Sequence, residues 1–389
     1  QAHARGIGVI LDYVINHCAR EHPLFRAAAA DRASPLRRWF LFEDAKPEGW
    51  SIYEHDPWRP VPAPPGSAAA RQGPAWYFGA FGGGMQDFAW TNPEGGAWHH
   101  DNLRSWLNRG VDGFRFDAVG HLVEHGPDAW DCQPENHAIM RRVRTLLDGY
   151  ANRFMVSEAP GDPAGFTRSG GSAFAFDLNG LLIDAARGAC GALAKVAAYH
   201  AGAPRGIATF LSNHDSFAGV RVIDQLGGDP ARAKLAAALL LTLPGVPFVY
   251  YGEEIGMAGH PGLPPDPSLR CPMSWDATGA GFNPADPSQG FRAPAPNRAE
   301  ANVAAQQDDP ASLLSFYRWL LQLRQRHPAL RHGALDVEEV GATHLVFTRH
   351  DAASGDAVRV VIDAGVRAVV SVASISRRPA DGPGQVAQP

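Results

Sequence analysis

From Ala97 onward, short apolar runs alternate with longer helical segments, and this rhythm restricts the fold more than any other feature. Helix Ala97 to Asn108 precedes strand Val111 to Phe116, helix Pro134 to Tyr150 and strand Phe154 to Val156. A strand near Phe174 to Phe176 and helical sequence from Leu181 to His200 follow. Strand Ile207 to Leu211, helix Pro230 to Leu243, strand Pro247 to Tyr250 and helix Ala311 to Arg326 continue the series. Upstream, Ala2 to Arg5 reads as a helix tail stopped by Gly6, and Ile7 to Val14 as a mostly apolar strand. Strands alternating with helices predict a parallel sheet covered by helices. The chain is too long for a small open sheet, and a (β/α)8 barrel fits its 389 residues.

The expected organisation places the start of an incomplete catalytic barrel at 1–17 and a loop-rich insert at 18–96. The insert is dense in Pro, Gly and aromatics, with short helices such as Pro23 to Arg32. The catalytic barrel proper is expected at 97–332 and a partial C-terminal β-domain at 333–372, with β-rich runs at His344 to Thr348, Ala357 to Ile362 and Ala368 to Val372. Residues 373–389, rich in Pro, Gly and Gln, have the composition of a disordered tail.

Composition excludes several classes. Basic and acidic residues nearly balance, 35 against 40, and no basic cluster suggests a nucleic-acid partner. No apolar run reaches membrane-spanning length, and Leu235 to Leu243 reads as part of a buried helix. Cys18, Cys132, Cys190 and Cys271 show no C-x-x-C spacing, so they are expected as free buried thiols rather than a zinc site. That usage fits a reducing compartment, and the expected location is the cytoplasm.

The chemistry-bearing residues fall at the C-terminal ends of the predicted strands, where barrel enzymes place their active sites. Asp12-Tyr-Val-Ile-Asn-His17 ends one strand, Arg115-Phe-Asp117 the next, and Val156-Ser-Glu158 and Leu211-Ser-Asn-His-Asp215 end two more. On a strand, Phe114 and Phe116 face one way while Arg115 and Asp117 face the other. An isolated Arg-x-Asp is most simply a structural ion pair, but four polar strand ends in one chain are hard to assign to packing. The neighbouring cation is expected to hold Asp117 ionised, as a nucleophile requires. Glu158 follows the apolar Phe154-Met-Val and has no cation adjacent in sequence, so its pKa is expected to drift upward, as suits a general acid. Two carboxyl groups flanking a bond are what glycoside cleavage requires.

These segments resemble the four ordered motifs of the α-amylase family of glycoside hydrolases. Asp12-x-Val-x-Asn-His17 is similar to the first, Gly113-Phe-Arg-Phe-Asp-Ala-Val119 to the second, Ser157-Glu158 to the third (with Ser where Gly is common) and Phe210-Leu-Ser-Asn-His-Asp215 to the fourth. The resemblance runs from Ile7 to about Leu330. It implies a (β/α)8 TIM barrel lacking its first two β-α units, with an irregular insert after the third strand. At roughly 30 residues per unit, about 60 residues or more are expected ahead of Gln1. It further implies a retaining mechanism, with Asp117 as nucleophile, Glu158 as acid then base, and Asp215 stabilising the transition state. His17 and His214 would bind sugar hydroxyls and Arg115 would orient Asp117. Asp12 and His121 belong to the same substrate-binding group, Asp12 chiefly as support for Arg115.

Tyr250-Tyr-Gly-Glu-Glu-Ile-Gly-Met257, Arg270-Cys-Pro-Met-Ser-Trp-Asp276 and Gln307 to Tyr317 resemble the oligo-1,6-glucosidase and α-glucosidase branch. Met85-Gln-Asp-Phe-Ala89 departs from that branch's fifth motif, Gly120 stands where amylases commonly have Lys, and Ala118 is similar to α-1,4-acting members. The implied substrates are malto-oligosaccharides or short α-glucans. Transglycosylation, including trehalose or sucrose chemistry, uses the same residues, and a catalytically silent binding or partner barrel is the alternative from another class. The chemistry needs no cofactor. The resemblance nevertheless makes Asn16, with the His121 carbonyl, a candidate calcium ligand, although Asn16 capping a nearby loop explains it as well and no carboxylates from the insert stand out. Trp76, Tyr77, Phe81 and Trp90 either stack on sugar or form the insert's own core. His99-His100 reads as a helix start, and Gly82 to Gly84 as a flexible loop.

Overall fold

The computed structural model describes residues 1–62, 68–282, 290–366 and 368–375, which divide into two compact units, Gln1–Phe174 and Ala175–Pro389. The division falls inside the segment expected as one barrel.

The first unit is built on a parallel sheet of β1 (Ile10–Val14), β2 (Gly113–Asp117) and β3 (Phe154–Ser157), in that order. Its register sets Asp12 opposite Arg115, Val14 opposite Asp117, and Phe116 opposite Ser157. Close approach of β2 to β3 requires Gly113, because a Cβ there would lie 1.8 Å from the Phe154 carbonyl oxygen. Phe114 and Phe116 are fully buried and join Leu103, Leu107, Val143 and Leu147 of the covering helices α1 (Pro93–Asn108) and α2 (Pro134–Asp148) in one core. Helix α1 starts four residues before Ala97. Asn92 caps it by accepting from the Glu94 amide and Pro93 opens it, a start signal that outweighs the two glycines following. His99 is therefore buried inside a helix, where its Nδ1 lies 2.9 Å from the Tyr13 hydroxyl, and does not mark a helix start. The insert carries helix Pro23–Ala30 and a small antiparallel sheet in which Trp76–Phe78 is flanked by Phe42–Glu43 and Trp58–Pro60. The expected strand at Phe174 to Phe176 is reduced to an isolated parallel bridge between Ser157 and Ala173.

In the second unit the helical stretch from Leu181 to His200 is two helices, α3 (Asn179–Arg187) and α4 (Ala192–Gly202). Gly188 and Gly191, both at positive φ, interrupt it. Strands β4 (Ala208–Thr209) and β5 (Val246–Pro247) pair in parallel but are shorter than expected. Helix α5 (Pro230–Thr242) is buried almost all round, and α6 (Leu313–Arg326) shares its core. The C-terminal sheet is antiparallel, in the order β6 (Ala334–Val340), β7 (His344–Asp351), β8 (Asp356–Asp363) and β9 (Val369–Ser374). Strand β6 escapes the sequence reading because it is exposed along nearly its whole length. Strand β9 takes in residues 373–374, and the rest of the expected disordered tail, 376–389, lies outside the described residues.

Among the described residues the parallel strands form a three-stranded sheet and a two-stranded pair, not one closed barrel. No described helix is long and apolar enough to cross a membrane. All four cysteines are free, but Cys190 is exposed, contrary to the expectation of buried thiols.

Candidate active site

In the first unit three strand ends meet on one guanidinium. Alternation along β2 turns Arg115 and Asp117 to the face opposite the two phenylalanines. Arg115 donates to Asp12 at 2.8 Å and to Asp117 at 2.5 Å, and its other Nη lies 2.8 Å from Glu158 Oε2. Burial works against its charge, but Glu158, Asp117 and Asp12 together outweigh that and raise its pKa. Asp12 thus supports Arg115.

The sequence suggested no cation near Glu158, yet Arg115 of the adjacent strand pairs with it. Its pKa is nevertheless raised to about 8, because burial outweighs the guanidinium and the negative Asp117 adds to the rise. Glu158 also shares a hydrogen bond with Asp117. Ala118, at φ 51°, turns the chain immediately after Asp117 so that its amide donates to Glu158 Oε2 at 3.2 Å and Val119 donates to the Glu158 carbonyl at 3.1 Å. A residue without glycine's freedom held there is a strained feature beside two carboxyl groups. A Cβ at Gly120 would meet Asp131 Oδ1 at 2.5 Å, so a side chain there requires the Asp131 carboxylate to move aside.

His17 lies near Asp117 and His121, and burial lowers its pKa. His121 is buried, with its Nδ1 3.5 Å from Asp131 and its Nε2 2.9 Å from the Tyr53 hydroxyl. Of the four aromatics singled out from sequence, only Phe81 reaches this group, packing on His17 and His121. Tyr77 and Trp90 are buried in the unit's core and Trp76 packs within the insert. Tyr53 and Trp130 complete the aromatic set, and neither was marked by any motif.

Asn16 has a different neighbourhood from the loop cap expected of it. It is fully buried, its side chain bonds Asp87, and its Oδ1 has no partner. Asp87 Oδ2 and Glu124 Oε1 are likewise buried and unpartnered. Burial raises Asp87 to about 8 and pushes Glu124 well above the usual carboxylate range, with Asp87 adding to the latter. Asp87 thus interacts with both Asn16 and Glu124, and buried oxygens without donors suit a hard divalent cation. Among the described residues there is no cluster of three or more His, Cys, Asp or Glu that could hold a metal.

In the second unit Asp215 follows β4. Its amide donates to Asn213 at 2.8 Å, one carboxylate oxygen receives Arg270 at 2.8 Å, and the other lies 3.2 Å from His214 Nε2. Arg270 also donates to the His214 carbonyl at 2.9 Å. The sequence marked Arg270 only as the start of a branch motif. Buried Arg221 stacks on Tyr250 and Tyr251 and donates to the carbonyls of Tyr251 and Leu269, which fixes the backbone beside Arg270.

Residues 1–333 match the family described as "Alpha amylase, catalytic domain". The chain is 31% identical to the trehalose synthase/amylase TreS of Mycobacterium tuberculosis (strain ATCC 25618 / H37Rv), over 92% of this chain and 68% of that protein. It is 29% identical to a probable alpha-glucosidase of Rhizobium meliloti (strain 1021), over 90% and 72% of the two chains. The crystal structure of the alpha-amylase from H. orenii superposes with a TM-score of 0.74 at 29% identity, covering 93% of this chain and 71% of that one. The fold is therefore the α-amylase-type TIM barrel fold with a C-terminal β-sheet domain, and the chain is an enzyme of the α-amylase family of glycosidases and transglycosylases.

Proposed function

We propose that the chain cleaves α-glucosidic bonds, α-1,4 in particular, in malto-oligosaccharides or short α-glucans with retention of configuration. The observation that carries this reading is the pairing of Asp117 and Glu158 on Arg115, with Glu158 buried and raised to about 8. The guanidinium braces one carboxylate for attack, while burial keeps the other protonated at neutral pH. Asp117 attacks the anomeric carbon as the glycosidic C–O bond breaks, and the departing oxygen takes the Glu158 proton. Glu158, now a carboxylate, removes a proton from the incoming hydroxyl, whose oxygen attacks the anomeric carbon and releases Asp117. His17 and His214 bind sugar hydroxyls, and Asp215, oriented by Arg270, stabilises the positively charged transition state.

Whether the incoming hydroxyl belongs to water or to a second sugar separates hydrolase from transglycosylase. The relatives named trehalose synthase favour keeping the transfer reading. Incubation with maltose decides between them: hydrolysis yields glucose alone, whereas transfer yields an isomerised or longer sugar. Asp117→Asn should lower either turnover by roughly 10⁴-fold or more. Undiminished turnover in that variant rejects the assignment.

Calcium is proposed at Asn16, Asp87 and Glu124, where it would supply the positive charge these buried oxygens lack. Cation binding requires both carboxyl groups to ionise, so titration with calcium chloride should release protons and raise Tm. Asp87→Asn should remove the response. A wild-type Tm indifferent to both calcium and chelator rejects the site.

A further inference from the structure

The segments that follow Asp117 and Glu158 close on one side chain that the proposed mechanism leaves unused. Gly120 lies shortly after Asp117 and Gly161 shortly after Glu158, and both face Asp131, just ahead of helix α2. A Cβ at Gly120 would stand 2.5 Å from Asp131 Oδ1, and a Cβ at Gly161 2.5 Å from Asp131 Oδ2. One carboxylate thus sets an oxygen against each segment. Neither glycine has positive φ, so the backbone demands glycine at neither position. What a side chain would displace there is the Asp131 carboxylate.

Asp131 is itself held in place. Cys132 Sγ donates to its Oδ1 at 3.2 Å, and burial followed by the Asp131 charge pushes the thiol up, so the donor keeps its proton. Cys132 adopts φ 51°, a left-handed conformation that is costly for a residue with a side chain. The Cys132 amide donates to the Gly120 carbonyl at 2.8 Å, and Asn136 Nδ2 of α2 donates to the same oxygen at 2.5 Å. Gln133 Nε2 donates to the Asp131 carbonyl at 2.7 Å, and His121 Nδ1 lies 3.5 Å from Asp131 Oδ1. These contacts make the carboxylate a fixed spacer.

We infer that Asp131 is a positioning residue that sets the spacing of Asp117 and Glu158 by wedging between the segments that follow them, an inference that rests on the proposed function. Retention requires the two carboxyl groups about 5–5.5 Å apart, so that one reaches the anomeric carbon while the other reaches the departing oxygen. The Ala118 and Val119 amides tie the two segments together beside the carboxyl groups, and Asp131 keeps them apart farther along. A shift of about 1 Å in such a site can cost on the order of 10²-fold in rate. Asp131 acts on spacing and not on the sugar, so its loss should fall on kcat.

The test measures kcat and KM on maltose, with Tm alongside. Asp131→Ala removes the wedge and should lower kcat by roughly tenfold or more while KM stays within about threefold of wild type. Asp131→Asn keeps the shape and should recover most of that kcat. Gly120→Ala pushes the carboxylate aside, and the next atom its Cβ meets, Cys132 Sγ, is 3.4 Å away. Alone it should lower kcat as Asp131→Ala does, but added to Asp131→Ala it should cost less than about threefold more. If Asp131→Ala melts below the assay temperature, Asp131→Ser replaces it in the cycle. Losses that simply add in the double variant, an unchanged kcat in Asp131→Ala, or an Asn variant as poor as the Ala one overturn the inference while the proposed function stands. A wild-type chain inert toward maltose rejects the proposed function itself, and the positioning role with it.

Discussion

Glu158 in the first unit and Glu253 in the second are both buried carboxyl groups raised to about 8, and burial is the main cause for each. Their partners differ. Glu158 has Arg115 and Asp117 beside it and sits at the end of a strand that carries a motif. Glu253 accepts from the Tyr317 hydroxyl at 2.7 Å and from Ser212 at 3.4 Å, with the like charge of Glu254 adding to its rise. A raised pKa alone therefore does not mark a general acid. The acid also needs a carboxylate partner to share the two steps and an opening toward substrate, and Asp117 retains partial exposure.

Neutralising each glutamate in turn breaks the comparison most sharply. Glu158→Gln cannot donate a proton to the leaving oxygen, and turnover of maltose should fall by roughly 10²–10⁴-fold. In the wild type, kcat/KM should decline above about pH 8 as Glu158 loses its proton, and that limb should vanish from whatever activity the variant retains. Glu253→Gln should keep most activity. Comparable losses in the two variants would erase the distinction drawn between them.

The second measurement reads stability against pH. Both carboxyl groups have folded pKa values above the ordinary 4.5, so the folded chain holds their protons between that value and about 8. The stability each contributes is complete below 4.5 and is lost as pH rises through about 8. Glutamine at 253 has no proton to lose. The Tm of Glu253→Gln relative to wild type should therefore climb between pH 6 and about 8.5, by several degrees. A difference that stays flat with pH would show that Glu253 is not held protonated.

What the sequence disclosed differs between these regions for the same physical reason. Asp117, Glu158 and Asp215 lie in short contiguous motifs whose strand context is local, so their positions at strand ends were legible. Partnerships made across the fold were not. Arg115 reaching Glu158, Arg270 reaching Asp215, and Asp87 interacting with both Asn16 and Glu124 all join residues distant in sequence. Tyr53 stayed hidden because the turn Ile52-Tyr-Glu-His55 contains none of the residues that announce a tight turn. Strand lengths in the second unit were overestimated because Ile207 to Leu211 is apolar apart from Thr209 and buried throughout, and burial alone does not separate a strand from the buried segment that follows it.

The smallest expected effect concerns what keeps Glu253 neutral. Tyr317 is buried in the core of its unit, and burial, followed by the charge of Glu253, pushes its phenol pKa far up, so it acts only as a donor. Its bond favours the ionised form of Glu253 and offsets part of the desolvation that raises the carboxyl. Tyr317→Phe removes the donor without opening a cavity and should cost about 1 kcal/mol, or about 2 °C in Tm. Because the lost bond favoured the carboxylate, the Glu253 pKa should move higher still, and the stability difference from wild type should widen as pH rises. Glu158 lies in the other unit and should keep its alkaline limit in kcat/KM unchanged. A limit that moved with Tyr317→Phe would assign part of that limb to Glu253 and collapse the contrast between the two glutamates.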